Sequence, residues 1–343
     1  MEALSMVDST LTRDNLFQLN ILVWASFPHP IDAPVTPVLR NAGYILWSIE
    51  RPLNAGVAEL ARLRKTTEIQ PNPVVDAVFE HARTNTYVLV ECKPSSFGVN
   101  SEWAPQARGM IVAGGNAASR LGLSVGAVAE LCYLVPADDA QATDTTLATL
   151  AAEVSGQRFV ACPTGSLGLS IKADGAYLGL LTQPQGVAQM PQMLIPEQRV
   201  IAVRANQDPR PLYIIPWIPD VVDDTALEAF KEKLRAQLLS WLGKASIGGQ
   251  VTLQFEDLLY EVSRGIFRIW RDRDSLHGRV FPIVASIVNS SFGGDGRVGI
   301  GTRAVVANLN SEKDREDLME QVRTAGLPEK LPEVLQLRME EQP

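Results

Sequence analysis

The sequence predicts an α/β protein built on a mixed β-sheet flanked by helices, followed by a C-terminal α+β domain. Three observations predict it. Residues 74–93, VVDAVFEHARTNTYVLVECK, hold two apolar runs around a short polar loop, as a β-hairpin does. Helical patterns lie on both sides of that hairpin, and VAELCYLVP (128–136) is a continuous apolar run of strand length. Beyond residue 198 the order becomes helix, strand, helix, helix and a glycine-punctuated hairpin.

Taken in order, PHPIDAPVTP (28–37) is a proline-rich loop between an N-terminal element and two helical patterns, VLRNAGYILWSIER (38–51) and VAELARLRK (57–65). After the hairpin, SEWAPQARGMIVAGG (101–115) reads as a helix with Ser101 as its cap. DTTLATLAAEVSG (144–156) reads as a capped helix ending at a glycine, and RFVACPTG (158–165) and AYLGLLT (176–182) as strands. These elements form a first domain over residues 1–182. QPQGVAQMPQMLIPEQ (183–198) lacks periodicity and reads as a linker. RPLYIIPWIP (210–219) carries too many prolines for a central strand. The second domain, 199–343, contains helices in 224–243, 255–271 and 275–291, a strand in 250–254 and a hairpin in 297–310. That order is the order of a winged helix.

With 343 residues, 46% of them hydrophobic, the chain can bury a large core. No uninterrupted apolar stretch approaches ~20 residues, so no membrane span is expected, and no secretory signal is visible. Three cysteines in apolar surroundings read as reduced core residues, which points to the cytoplasm. The net charge of −8 argues against tight non-specific nucleic-acid binding by the chain alone, leaving room for a local basic groove and for a protein partner or homo-oligomer that supplies part of the grip.

The hairpin carries the chemistry. If 74–81 pairs with 86–93 across Ala82–Asn85, opposing residue numbers sum to 167 and Asp76 lies opposite Glu91. Opposed residues share a face, with Cβ atoms about 4.5–5.5 Å apart, and Lys93 joins that face two residues on. Two opposed carboxylates repel unless a cation sits between them. Mg²⁺ or Mn²⁺, hard ions taking oxygen ligands, would lower the pKa of a water there and polarise a phosphate oxygen. Lys93 would orient that water or offset phosphate charge. The other face, with Val75, Ala77, Phe79, Val88, Val90 and Cys92, should pack under a helix, leaving one greasy face and one chemical face.

Asp76 followed by Glu91-Cys92-Lys93 at the end of an apolar strand resembles the PD-(D/E)XK nuclease superfamily, over roughly residues 40–165. The resemblance implies a restriction-endonuclease-like core, with Asp76, Glu91 and the Cys92 carbonyl holding a divalent metal and Lys93 assisting the water. Gln106 stands where many members carry a polar residue on the following helix. The chain departs from the pattern at Met110, where an aromatic residue is usual, and at Val75, where proline is usual. Glu50 or Glu59 would be the glutamate that some members carry on the preceding helix. Of the chain's lysines only Lys93 has an acidic residue two positions before it.

Other signals are weaker. Gly294-x-Gly296-x-x-Gly299 has dinucleotide spacing but is followed by β-rich TRAVVANL, so it reads as a glycine turn. Ser166 in PTGSLGLS lacks a nucleophile elbow. Arg264, Arg268 and Arg271 at i, i+4 and i+7 would line one helix face, able to grip a phosphate backbone or to stand solvated beside Glu261, Asp272 and Asp274. His29 and His277 find no partner by pattern, and His81 falls on the apolar hairpin face as a core or loop histidine. The expectation is a metal-dependent nuclease acting on DNA rather than RNA by family resemblance, in a group of proteins that serves restriction, defence or repair. The alternative is a catalytically degenerate subunit that keeps the fold as an assembly scaffold.

Overall fold

The computed structural model describes residues 10–27, 35–55, 68–81, 83–123, 125–172, 175–179, 188–190, 197–202, 213–215, 224–269 and 273–325. The chain divides into two compact units, Met1–Ile215 with Ile269–Asp272, and Pro216–Arg268 with Arg273–Pro343. The division therefore falls later than the 183–198 segment.

The first unit is α/β. It opens with helix α1 (Asn15–Ser26), capped by the Asp14 carboxylate on the Leu16 and Phe17 amides. Eleven of its twelve residues are buried, as an apolar stretch requires when protein surrounds it on every side. A short helix α2 (Val38–Asn41) leads into β1 (Tyr44–Pro52), β2 (Val74–His81) and β3 (Thr86–Cys92). Helices α3 (Ala104–Gly115) and α4 (Ala117–Arg120) precede β4 (Val128–Pro136), and α5 (Ala140–Gly156) precedes β5 (Thr164–Lys172). Strands β6 (Gly175–Gly179) and β7 (Gln198–Ile201) complete a seven-stranded sheet ordered by sequence from β1 to β7.

Among the described residues only β3–β4 and β4–β5 are parallel pairs, each joined across a helix. The sheet is thus mixed and flanked by helices, as expected. Helix α1 touches β1, β3 and β7 on one face. On the other, α3 and α5 contribute Ala107, Met110, Ile111, Leu147 and Leu150 to a core with Val78, Tyr87, Leu89, Leu131 and Tyr133.

Several expectations need correction. The predicted helix over 38–51 stops at Asn41. Gly43 takes φ +95°, and the aromatic and β-branched residues that follow pair with β2 as a strand. Glu50 therefore sits on β1, not on a helix, while the pattern at 57–65, with Glu59, lies outside the described residues. Ser101 does not cap α3: the cap position is Trp103, without a side-chain bond. Helix α5 starts at Ala140, so Asp144 lies inside it rather than at its cap. The strand anticipated from Arg158 begins only at Thr164. The expected linker contributes Gln198 to strand β7, and Gln189 and Met190 donate their amides to the buried Glu130 carboxylate.

In the second unit, α6 (Asp224–Lys244) buries Phe230, Leu234, Leu238 and Leu242 at four-residue spacing. Then come β8 (Gly249–Gln254), α7 (Phe255–Val262), a 3₁₀ turn at Ile266–Ile269, α8 (Arg273–Phe292), β9 (Val298–Ile300), β10 (Ala304–Leu309) and α9 (Glu312–Ala325). The three strands form an antiparallel sheet ordered β8-β10-β9. The expected order of helix, strand, helix, helix and hairpin is present, and Gly294 (φ +87°) lies in the turn before β9. Helix α7 is shorter than predicted, because Arg264 (φ +52°) and Gly265 (φ +87°) break it. Helix α9 escaped the sequence reading, although Ser311 and Asp314 form a reciprocal capping pair that the spacing S-x-x-D could have signalled.

One buried residue ties distant parts of the first unit together. Asn20 accepts from the Ile214 and Ile215 amides at 2.8 and 2.9 Å and donates to the Ile215 and Leu16 carbonyls at 2.7 and 2.9 Å. Asn20→Leu would strand these groups in the core. Denaturant unfolding should show a loss of about 2–4 kcal/mol.

Candidate functional site

The predicted register is the observed one. Strand β2 pairs with β3 from Ala77↔Val90 to His81↔Thr86, each pair on the 167 rule. At the next step the main-chain ladder is replaced by a side chain: the Asp76 carboxylate accepts the Cys92 amide at 2.6 Å. Asn85 turns the loop at φ +51°, which asparagine tolerates. His81 is a buried core histidine, hydrogen-bonded to Thr84 at 2.9 Å and edge-on to Tyr44.

The two faces of the hairpin differ less than expected. Every residue of β3 is buried, because β3 lies between β2 and β4 and both of its faces are covered. Chemistry is confined to the strand end. There the Lys93 ammonium lies 3.0 Å from Glu91 Oε1 and donates to Gln106 Oε1 at 3.1 Å. The Gln106 amide in turn donates to Glu91 Oε1 at 2.9 Å and to the Val74 carbonyl at 3.2 Å. Asp76, Glu91, Lys93 and Gln106, four of the residues singled out by sequence, thus meet in one network. Met110, at the position where the family motif is broken, receives the Tyr133 hydroxyl on its sulfur at 3.9 Å.

Burial dominates the electrostatics. Glu91 is 3% exposed. Its pKa is pushed up to about 8, first by desolvation and then by the Asp76 charge, against the pull of Lys93. Desolvation also raises Asp76, opposed by the Cys92 amide and by Lys93. Glu91 Oε2 is buried and has no hydrogen-bond partner. A buried carboxylate oxygen without a donor, beside a second carboxylate, is the donor set a hard divalent cation takes. The residues therefore fit Mg²⁺ or Mn²⁺, with two carboxylates. Among the described residues no group of three or more His, Cys, Asp or Glu side chains is arranged to hold a metal ion. Glu50, on β1, does not serve as the expected helical glutamate.

Two residues at this end escaped the sequence reading. Trp103 lies under the Lys93 ammonium, 5.2 Å from ring centre to nitrogen. Gln18 on α1 donates to the Lys93 carbonyl at 2.9 Å. A pattern search had no signal for Gln18, which is 75 residues away in sequence and sits in an otherwise apolar helix.

Elsewhere the expectations separate. Arg264, Arg268 and Arg271 do not line one helix face: α7 ends at Val262, Arg268 stacks on Tyr260 at 3.6 Å, and Arg271 lies outside the described residues, as does His29. His277 stacks in parallel on Phe281 at 4.5 Å. Ser166 is buried and donates to the Ala140 carbonyl, which suits no nucleophile. The three cysteines are buried and free. No helix among the described residues is long and apolar enough to cross a membrane.

The raised Glu91 pKa has a defined sign. Between the ordinary carboxylate range and about 8, the folded protein keeps a proton that the unfolded chain has released, so stability falls as pH rises through that window. Without divalent cations, thermal unfolding should record a slope approaching ~1.4 kcal/mol per pH unit from this group. Glu91→Gln should flatten it, and equal slopes in both proteins would contradict the assignment. No protein family, curated protein or solved structure matches the chain.

Proposed function

We propose that the first unit is a metal-dependent nuclease with a restriction-endonuclease-like core, hydrolysing phosphodiester bonds at the end of the β2–β3 hairpin. The observation that carries the reading is the meeting of Asp76, Glu91, Lys93 and Gln106 at one strand end, where Lys93 and Gln106 hold Glu91 Oε1 and the buried Glu91 Oε2 has no donor. Asp76 and Glu91, with the Cys92 carbonyl, would hold Mg²⁺ or Mn²⁺. Bound there, the ion would supply Lewis-acid polarisation of a phosphate oxygen and a nucleophile at neutral pH. Lys93, held by Glu91 and Gln106, would orient the attacking water or offset charge on the phosphate. Gln106 keeps Glu91 and Lys93 in register by bonding both.

DNA is favoured over RNA on the family resemblance alone. The second unit, with the element order of a winged helix, would bind substrate or a protein partner. The catalytically silent scaffold is the second reading. The observation that favours it is the Lys93 ammonium, engaged by Glu91 at 3.0 Å, at a strand end where the described residues bring two carboxylates together.

Cleavage of linear, circular and single-stranded DNA, and of RNA, with Mg²⁺ or Mn²⁺ tests the choice. Wild-type protein should cut, and Asp76→Ala and Lys93→Ala should each lose at least about a hundredfold in rate. Lys93→Ala that keeps full biological function would favour the scaffold.

A further inference from the structure

We propose that Gln18 is a positioning residue for this site: its side-chain amide fixes the Lys93 main chain, and with it the direction in which the ammonium leaves the sheet. The inference rests on the nuclease reading for its catalytic consequence only; the positioning itself is geometric.

Strand β3 ends at Cys92, and Lys93 follows immediately. The Lys93 amide is held by the Leu134 carbonyl of β4 at 2.9 Å. In the parallel ladder its carbonyl would accept from residue 136 of β4, but that residue is Pro136, which has no amide hydrogen. Gln18 supplies the missing donor at 2.9 Å. The second hydrogen of the same amide goes to the Thr12 carbonyl at 2.6 Å, so both are committed. One residue on, Arg13 donates to the Pro94 carbonyl at 2.8 Å and pairs with Asp139 at 3.1 Å. Three consecutive main-chain groups, Lys93 N–H, Lys93 C=O and Pro94 C=O, are thus held from outside the hairpin.

A comparison within α1 separates this role from ordinary core support. Asn20, two residues along, is fully buried and uses both ends of its amide for structure. Gln18 is equally buried, yet its Oε1 has no partner. An apolar residue at that position would remove the unpaired acceptor but leave the Thr12 and Lys93 carbonyls without their donor. What an apolar residue could not do is donate to Lys93. The ammonium must reach Glu91 at 3.0 Å and Gln106 at 3.1 Å together, and a free strand end would not hold it to both.

Gln18→Met keeps length and volume and removes the donors. Three measurements are made on the full chain: amide hydrogen exchange at Lys93, Mn²⁺ binding by calorimetry, and steady-state cleavage of linear DNA with Mn²⁺. The expected result is a folded protein whose Lys93 amide exchanges at least tenfold faster than in wild type, while amides in the centre of β3 are unchanged. With it, kcat should fall by about 10–100-fold at nearly constant KM. Gln18→Glu, whose acid form donates one hydrogen bond, should recover part of that loss. Unchanged exchange at Lys93 overturns the positioning, whatever the activity. Faster exchange with wild-type kcat and Mn²⁺ affinity overturns the catalytic consequence. If wild-type protein neither binds Mn²⁺ nor cleaves, the nuclease reading falls, and the exchange measurement still decides whether Gln18 fixes the strand end.

Discussion

The end of the β2–β3 ladder is the constraint on which the rest of the first unit turns. A strand buried on both faces has to satisfy every main-chain group within the protein. At Cys92 the chain meets that demand with a carboxylate, so Asp76 is drawn into the end of the ladder. Once Asp76 is there, Glu91 is its neighbour by register, and two acids share one low-dielectric corner. Lys93 and Gln106 follow as the groups that keep Glu91 tolerable. Hydrogen-bond necessity and candidate chemistry are the same geometry.

Around that corner the fold supplies rigidity. Helix α3 crosses its surroundings closely: a Cβ on Gly115 would sit 1.8 Å from the Val160 carbonyl oxygen, and one on Gly109 would sit 2.3 Å from that of Gln70. This close seating delivers Gln106 to Glu91. Helix α1 holds the opposite flank, where Asn20 and Gln18 spend polar atoms inside an apolar helix.

What could be read from the sequence was what is local. A hairpin with a short loop has few possible registers, and the alternation of Asp76, Glu91 and Lys93 against apolar neighbours singled one out. Gln106 followed from the family resemblance, which implies a polar residue on the helix after the hairpin. The residues that sequence reasoning missed act across long separations, Gln18 on Lys93 above all. The segment 38–51 was misread because its aromatic and branched residues suit either a buried helix or an edge strand; Gly43 was the discriminating residue. The arginine stripe failed on a similar detail, with Gly265 interrupting the period.

The pairing of Glu91 with Lys93 also bears on how the protein is made. A site built from bare carboxylates would oppose folding until an ion arrived, as metal-nucleated domains do. Here the counter-ion is covalently attached, two residues along the same strand, and the remaining charge can be discharged by a proton near neutrality. The newly synthesised chain can therefore reach its native structure without a divalent ion to offset the buried acids.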